Sequence, residues 1–523
     1  MENYDIVICG GSLGGTLAAY SASKSGKKVV LLEETKWIGG QLTSQAVPPD
    51  EHKWIEEEGC TKTYRDYRNK VRNYYVNNPN FKRIILDKKE IKNVNDMTFC
   101  PASSEVSRLS HPPLLALHFL NEMLEPYVNK NLTIYTEAKL LLCKCENGRI
   151  SSVTYLINGK DVEFKGKIFL DATDTGELLP LSNTEYKVGA ESKAETGEEH
   201  APIIADPNDT QPFTYSLAFK IHKDGNYVIP KPKGYDEFKS LMMPYDKYPI
   251  FSMYGPDSST GKAKKFGMFY DEMDENGNEL FPLAVYRRIV AKNNFINNDD
   301  IDDITLLNWP QNDYFMGNLY NTDNIEEVKN RAKSLTLSFF YYLQTEVERY
   351  DGKKGYPNFE LLYDELGTED GLSMAPYIRE SRRIVSKFIV KEEMVKEGSN
   401  PDFIDSVGVG SYPIDIHITT NSHTFMYVPT ERFTISLGSM IPIKTKNLIP
   451  SSKNIGTTHL TGGCYRLHPI EWNIGEVAGY LASYAIDNNI DTSDVYDDKN
   501  RLKDFQSLLE KNGVQLHWSK LKL

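Results

Sequence analysis

The chain has 523 residues and a hydrophobic fraction of 40%, enough to bury a sizeable core in two or more domains. Its formal charge of −13 offers no basic field to nucleic acid or anionic lipid. No apolar run reaches the roughly 18 residues of a membrane span, and the first residues lead into a strand without a signal-like segment. The expectation is therefore cytoplasmic residence with neither nucleic acid nor membrane as a partner.

Tyr4 to Cys9 (YDIVIC) reads as a buried strand that ends in Gly10-Gly11-Ser12-Leu13-Gly14-Gly15. A small-residue helix (TLAAYSASKSG) and a second strand (VVLLEE) follow. Glycines let the backbone turn tightly and approach a pyrophosphate, whose charge is received by N–H groups at the helix N-terminus. Ser12 replaces the second glycine of the usual pattern with a small side chain. Glu33, 23 residues after Gly10, stands where an acid accepts hydrogen bonds from a ribose. The natural guest is an adenosine diphosphate moiety, and these features alone do not separate NAD from FAD.

Residues 49–103 are polar, aromatic and Asn-rich, as in an inserted cap. Further on, RISSVTYLINGKDVEFKGKIF reads as two strands joined by Asn158-Gly159, a type I′ hairpin signal. Between 201 and 430, strand-like runs (FTYSLAFKI, ITLLNW, DIHITT) alternate with one long amphipathic helix, NIEEVKNRAKSLTLSFFYYLQTEVERY. The tail from Asp487 reads as a polar linker and one helix. Acidic loops such as NNDDIDD lack a complete EF-hand spacing, and no metal site is expected. The six scattered cysteines are expected as reduced thiols, with Cys143 and Cys145 on one face of a strand.

Three segments resemble the glutathione-reductase-like flavoprotein superfamily: Gly39-Gly40-Gln41-Leu42-Thr43, KIFLDATDTGELL (Lys167 to Leu179) and the closing stretch Lys446 to Ile486. With VSRLSHPP around Arg108, YRRI at Tyr286, NWPQNDY at Asn308, PYIRESRRIV at Pro376 and SYPIDIH at Ser411, the chain resembles a bacterial family of FAD-dependent oxidoreductases, often labelled xanthan-lyase-like, over nearly its whole length. The resemblance implies an α/β fold, in which a discontinuous Rossmann-like FAD-binding domain (1–200, with the 49–103 insertion, and 431–523 with a tail helix) is interrupted by an α+β substrate domain (201–430). It implies FAD contacts from Gly10, Ser12, Leu13, Gly14 and Gly15, from Glu33 and Glu34, and from Gly39, Gly40, Gln41, Leu42 and Thr43. Ala172, Thr173 and Gly176 would serve the adenine half, and Arg466, Gly475 and Glu476 the closing segment. A helix from about Ile470 would point its positive end at the flavin C2 carbonyl, and Arg466 would neutralise the charge that develops on reduction.

A flavin dehydrogenase takes a hydride at N5 while a base removes the partner proton. Three histidines are candidates for that base. His459 lies seven residues before Arg466, His417 forms an i, i+2 pair with Asp415 on a strand, and His52 follows the Gly-Gly segment in PPDEHKW. The cluster Arg379, Glu380, Arg382, Arg383 reads either as an internal ion-pair network or as the source of one arginine that binds a substrate carboxylate. The first expectation is dehydrogenation of a small polar substrate, a sugar, hydroxy acid or amino acid derivative, with electrons passed to an unidentified acceptor. Alternatives are a monooxygenase or halogenase fed by an external reductase, and a binding protein that kept the fold without the flavin.

Overall fold

In the computed structural model, which describes residues 3–81, 99–257 and 260–519, the apolar N-terminal run forms strand β1 (Asn3–Cys9), buried throughout from Ile6 to Cys9. The glycine turn feeds helix α1 (Leu13–Lys24), and β2 (Val29–Leu32) returns parallel to β1. Beyond it lie β3 (Leu132–Tyr135), β4 (Lys139–Glu146), β5 (Arg149–Ile157) and β6 (Lys160–Asp171). β3 pairs parallel with β2, β6 parallel with β1, and the late strand Leu448–Pro450 parallel with β6. The parallel part thus runs β3-β2-β1-β6-(Leu448–Pro450), the α/β layer that the resemblance implies.

The first half of β6 carries a second role as the edge of an antiparallel meander with β5 and β4. Its hairpin turns at Asn158 and Gly159, with φ of 50° and 73°, the paired left-handed conformations of a type I′ turn. Cys143 and Cys145 share one face of β4 and pack beside Tyr155 and Phe164, and all six cysteines are free. Of the stretch 49–103, residues 82–98 lie outside the described residues. Helix Lys62–Val76 within it buries Tyr64, Tyr67 and Val71 against Leu13, Leu42 and Trp472.

A second layer forms from the middle of the chain. Strands Arg288–Val290, Asp303–Leu307, Leu217–Ile221 and Phe359–Leu361 make an antiparallel sheet in that order. The long amphipathic run folds as helix Ile325–Thr345, started by the Asn324 side chain, which accepts from Glu327 N. Its buried face, with Phe339, Phe340 and Leu343, closes over Phe219, Trp309 and Phe359. The third strand-like run, around Asp415, pairs with Met426–Val428 outside this sheet. Among the described residues no helix is long and apolar enough to cross a membrane.

The last segment completes the first layer. Helix His468–Asn488 crosses α1 closely, because Gly475 meets Gly14 and Gly479 meets Ala18 and Ser21. It ends at Asn489 in the left-handed conformation (φ 52°). What reads in sequence as a polar linker is a short helix, Thr492–Asp497, nucleated by a capping box between Asp491 and Asp494, and helix Lys499–Lys511 follows it.

A side chain on Gly475 has no room, since even a Cβ would lie 2.5 Å from Gly14 Cα. Gly475→Val is expected to destabilise the protein by about 3 kcal/mol through overpacking. Equilibrium denaturation of the two proteins measures the difference, and equal midpoints would show that the crossing is loose.

Candidate active site

Gly10 takes φ of 96° at the end of β1, where a Cβ would lie 2.5 Å from Thr173 N, so the turn can pass close to the end of β6 only as glycine. Ser12 caps α1, its Oγ accepting from Gly15 N at 3.3 Å. Glu33 Oε2 accepts from Gly11 N at 2.6 Å, and Oε1 accepts from Thr35 N at 2.7 Å and Thr35 Oγ1 at 2.6 Å. Burial pushes its carboxyl up to about 7. At the end of β6, Ala172 N donates to Cys9 O, and Asp171 Oδ1 accepts from Thr173 Oγ1 at 2.7 Å. Asp171 Oδ2 is buried without a hydrogen-bond partner, and burial raises this carboxyl to about 7 as well. Gly176 turns the chain after it with φ of 67°.

A cavity of about 1020 Å³ opens over these residues. Gly10, Glu33, Glu34, Ala172, Thr173 and Ser44 are among the residues that line it. The second glycine pair closes on the first: Gly39 N donates to Gly11 O at 2.8 Å, and a Cβ on Gly40 would lie 2.9 Å from Leu13 N. Of the residues that follow, Leu42 turns into the apolar cluster with Leu13, and Thr43 Oγ1 donates to Ile38 O at 2.6 Å. Gln41 keeps one buried oxygen unpartnered, and the Gln45 amide has no partner at either atom. A glycine turn at a helix N-terminus, a carboxylate at the end of the second strand, a cavity of about 1020 Å³ and unpartnered buried polar atoms fit a dinucleotide cofactor.

One central residue carries no sequence signal. Glu471, fully buried in the first turn of helix His468–Asn488, accepts from Gly14 N at 3.3 Å, Ser452 Oγ at 2.8 Å, Gln41 Nε2 at 2.5 Å and Lys453 Nζ at 3.2 Å. It places a carboxylate at the positive end of α1. Glu476, expected among the cofactor contacts, accepts from Thr63 Oγ1 at 2.5 Å, with its second oxygen buried and unpartnered. Gly475, by contrast, does abut the glycine turn at Gly14.

The charged side chains gather in two adjoining networks. In the first, Arg379 pairs with Asp313 at 2.8 Å, and Asp313 Oδ2 lies 2.7 Å from His417 Nδ1. His417 Nε2 lies 3.4 Å from Asp415 Oδ2, which pairs with Arg466 at 2.8 Å. The i, i+2 spacing of Asp415 and His417 does put them together. Burial would raise both aspartates, but Arg379 and His417 outweigh it at Asp313, and His417 and Arg466 at Asp415, so both are held below the usual range. Arg466 also donates to the Tyr377 hydroxyl at 3.3 Å, and its own carbonyl accepts from Gln41 Nε2 at 3.4 Å, which brings the network up to the Gly-Gly segment. The His417 side chain remains 22% exposed.

In the second network His459 Nδ1 lies 3.0 Å from Glu380 Oε2, and Arg383 pairs with Glu380 and, at 2.8 Å, with Glu191. Burial pushes Glu380 up, but His459 and Arg383 outweigh it and hold the carboxyl at about 2. His459 is 5% exposed. Gln211 joins the networks: its N–H donates to Glu380 Oε2 at 3.0 Å, and its side-chain oxygen accepts from His417 N at 3.3 Å. The third histidine, His52, is bonded to Gly59 O at 2.9 Å and packs edge-on against Trp518, and burial lowers its pKa. The structure therefore brings His417 and Arg466 into one network, His459 into the adjoining one, and His52 into neither. Asp313, the second carboxylate on His417, went unremarked in sequence although NWPQNDY contains it.

A family model described as FAD dependent oxidoreductase matches residues 5–509. A digeranylgeranylglycerophospholipid reductase of Methanococcus vannielii is 32% identical over 86 residues, 16% of this chain and 21% of that protein. The chain thus spans about a fifth of the length of this curated relative. Among solved structures, L-proline dehydrogenase from P. horikoshii is 16% identical with a TM-score of 0.17, over 36% of this chain and 24% of that one. A geranylgeranyl bacteriochlorophyll reductase-like protein from Thermoplasma acidophilum is 12% identical with a TM-score of 0.33, over 99% and 85% of the two chains.

The raised carboxyl of Glu476, about 7 against an ordinary 4.5, means that the folded protein binds this proton more tightly than the unfolded chain. Stability is then lost as pH rises from 4.5 to about 7 and stays lower above it. Glu476→Gln is expected to gain about 2 kcal/mol on the parent protein across that window, with its FAD content unchanged. Denaturation at pH 5 and 8, with flavin absorbance per protein, checks both parts. Loss of FAD from the variant would return Glu476 to the cofactor contacts.

Proposed function

Since the chain belongs to the FAD dependent oxidoreductase family, we propose that it is an FAD-dependent dehydrogenase of a small polar substrate, with His417 as the base that takes the substrate's proton. The observation that carries this reading is a part-exposed imidazole held between Asp313 and Asp415 and flanked by Arg379 and Arg466. In this reading residues 1–200 and 431–523 bind the cofactor and 201–430 the substrate. Gly10 to Gly15 would hold the pyrophosphate, Glu33 the ribose, and Ala172 and Thr173 the adenine half, with Gly39 to Thr43 along the remainder. Bound FAD supplies a two-electron acceptor for the hydrogen that leaves the substrate's reacting carbon.

The protein's own part is proton handling and orientation. Asp313, buried and paired to Arg379, fixes the Nδ1 side of His417 by the shorter contact, 2.7 Å. The longer 3.4 Å contact to Asp415 is the one a substrate hydroxyl or amine can replace, which leaves Nε2 to accept its proton. The resulting imidazolium is stabilised by the two carboxylates, while Arg466 keeps Asp415 ionised. His459, buried with its Nδ1 held by both oxygens of Glu380, belongs to the adjoining network.

His417→Asn is expected to lower kcat by roughly 10²- to 10⁴-fold with FAD still bound. The purified FAD-loaded protein, mixed anaerobically with sugars, hydroxy acids and amino acids, should lose its flavin colour with one of these classes. Bleaching only by NAD(P)H or a separate reductase would move the reading to a monooxygenase. Unchanged turnover in His417→Asn would remove that residue as the base.

A further inference from the structure

Arg287 is the odd member of the charged cluster. It follows Tyr286 in YRRI, is 6% exposed, and leaves Nε and Nη1 buried without an acceptor. Its one hydrogen bond runs from Nη2 to the Tyr286 hydroxyl at a long 3.5 Å, and its guanidinium lies 4.9 Å from the centre of that ring. Among the described residues no carboxylate comes within ion-pair distance of it. Its neighbours are all provided for: Arg379 has Asp313, Arg466 has Asp415, and Arg288 has Asp303 at 2.9 Å.

An unpaired guanidinium is among the most costly groups to bury, because desolvation is not repaid by a counter-charge. The groups that feel its charge include Asp50, Tyr286, Tyr377, Tyr412, His468 and, as a like charge, Arg379. Tyr377 and Tyr412 are the hydroxyls beside Arg466 and Asp415, so Arg287 faces the same space as His417. Tyr286, Tyr412 and His417 are half-buried and form the side of the cluster that solvent reaches. Asp50, the acid closest in effect, forms no ion pair with it among the described residues.

Resting on the dehydrogenase reading above, we propose that Arg287 receives a carboxylate of the substrate, which makes that substrate an anionic hydroxy acid or amino acid rather than a neutral sugar. The role that the sequence allows for an arginine of the 379–383 cluster falls to Arg287. Arg379 and Arg383 each keep a buried Nε without a partner, but Arg379 is already paired with Asp313 and Arg383 with Glu380 and Glu191, while Arg382 donates to Thr175 O. A planar guanidinium with free donors suits a carboxylate, and the aromatic wall of Tyr286 keeps its orientation fixed.

The test uses the FAD-loaded full chain, with lactate, glycolate, alanine and proline as probes beside their methyl esters, and visible flavin absorbance as the readout. The acids are expected to perturb the spectrum saturably and the esters are not. Arg287→Met should raise the Kd of the binding acid by roughly 10- to 100-fold, and Arg287→Lys, which keeps the charge but not the fork, should fall between. FAD content and circular dichroism of both variants should match the parent protein. Esters binding as tightly as acids, an unchanged Kd in Arg287→Met, or bleaching by a neutral sugar alone would overturn the proposal. Loss of FAD from a folded Arg287→Met would also overturn it, by assigning the arginine to the cofactor. Acid binding retained in His417→Asn separates this proposal from the choice of base, since binding a carboxylate needs no proton transfer.

Discussion

Everything at the candidate site hangs on one buried crossing, in which helix His468–Asn488 lies against α1 with Gly475 on Gly14 and the Glu471 carboxylate at the first turn of α1. The first turn of a helix carries unsatisfied N–H groups and a partial positive charge, and a fully buried carboxylate there is favourable only because further donors surround it. Ser452, Gln41 and Lys453 are those donors, Gln41 from the Gly-Gly segment and the adjacent Ser452 and Lys453 from the closing loop. The crossing therefore aligns the glycine turn, the Gly-Gly segment and the closing loop at once. Arg466 stands just before this helix and His468 is its first residue, where its Nδ1 accepts from Asp50 N.

The charged residues divide by what they have to spare. Arg68 and Arg72 are buried and paired with Glu51 and Glu56 in a lattice whose effect is to fasten helix Lys62–Val76 to the segment after the Gly-Gly pair. His459, Glu380, Arg383 and Glu191 do the same between the middle of the chain and the closing loop. Removing one partner from such a lattice leaves an uncompensated buried charge, which costs about 3–5 kcal/mol. The row through His417 differs in two respects: its contact to Asp415 is long, and its imidazole is open to solvent on one side. The closely paired, buried networks hold shape, and the one with a long contact open to solvent can exchange that contact for a ligand.

What was legible in the sequence was local. The period of β1, the small residues of α1, Asn158-Gly159 and the alternation that faces Asp415 and His417 the same way all involve neighbours in the chain, and each reappears in the fold. Asp313 lies 104 residues from His417, and Glu471 lies 457 from Gly14, so no periodicity could pair them. His459 and His417 look equally apt as bases in the sequence, since both stand near residues expected at a cofactor. Burial and the length of the contact to Asp415 separate them, and both are tertiary properties. Arg287 was hidden for the opposite reason, because what marks it is a missing partner, and a string of residues records no absences.

The last 75 or so residues of the chain, by this topology, return to its first 75. Lys24 donates to Tyr480, Lys27 pairs with Asp487, Lys62 N donates to Gly513 O, and His52 packs on Trp518. Contacts of such long sequence separation carry a loop-closure cost that must be met before they stabilise anything. On the ribosome, then, the nucleotide-binding layer waits half-built while the middle of the chain is made. The glycine face of α1 stays bare until residues 446 to 488 emerge, so a unit begun at β1 is completed only when the closing helix is made.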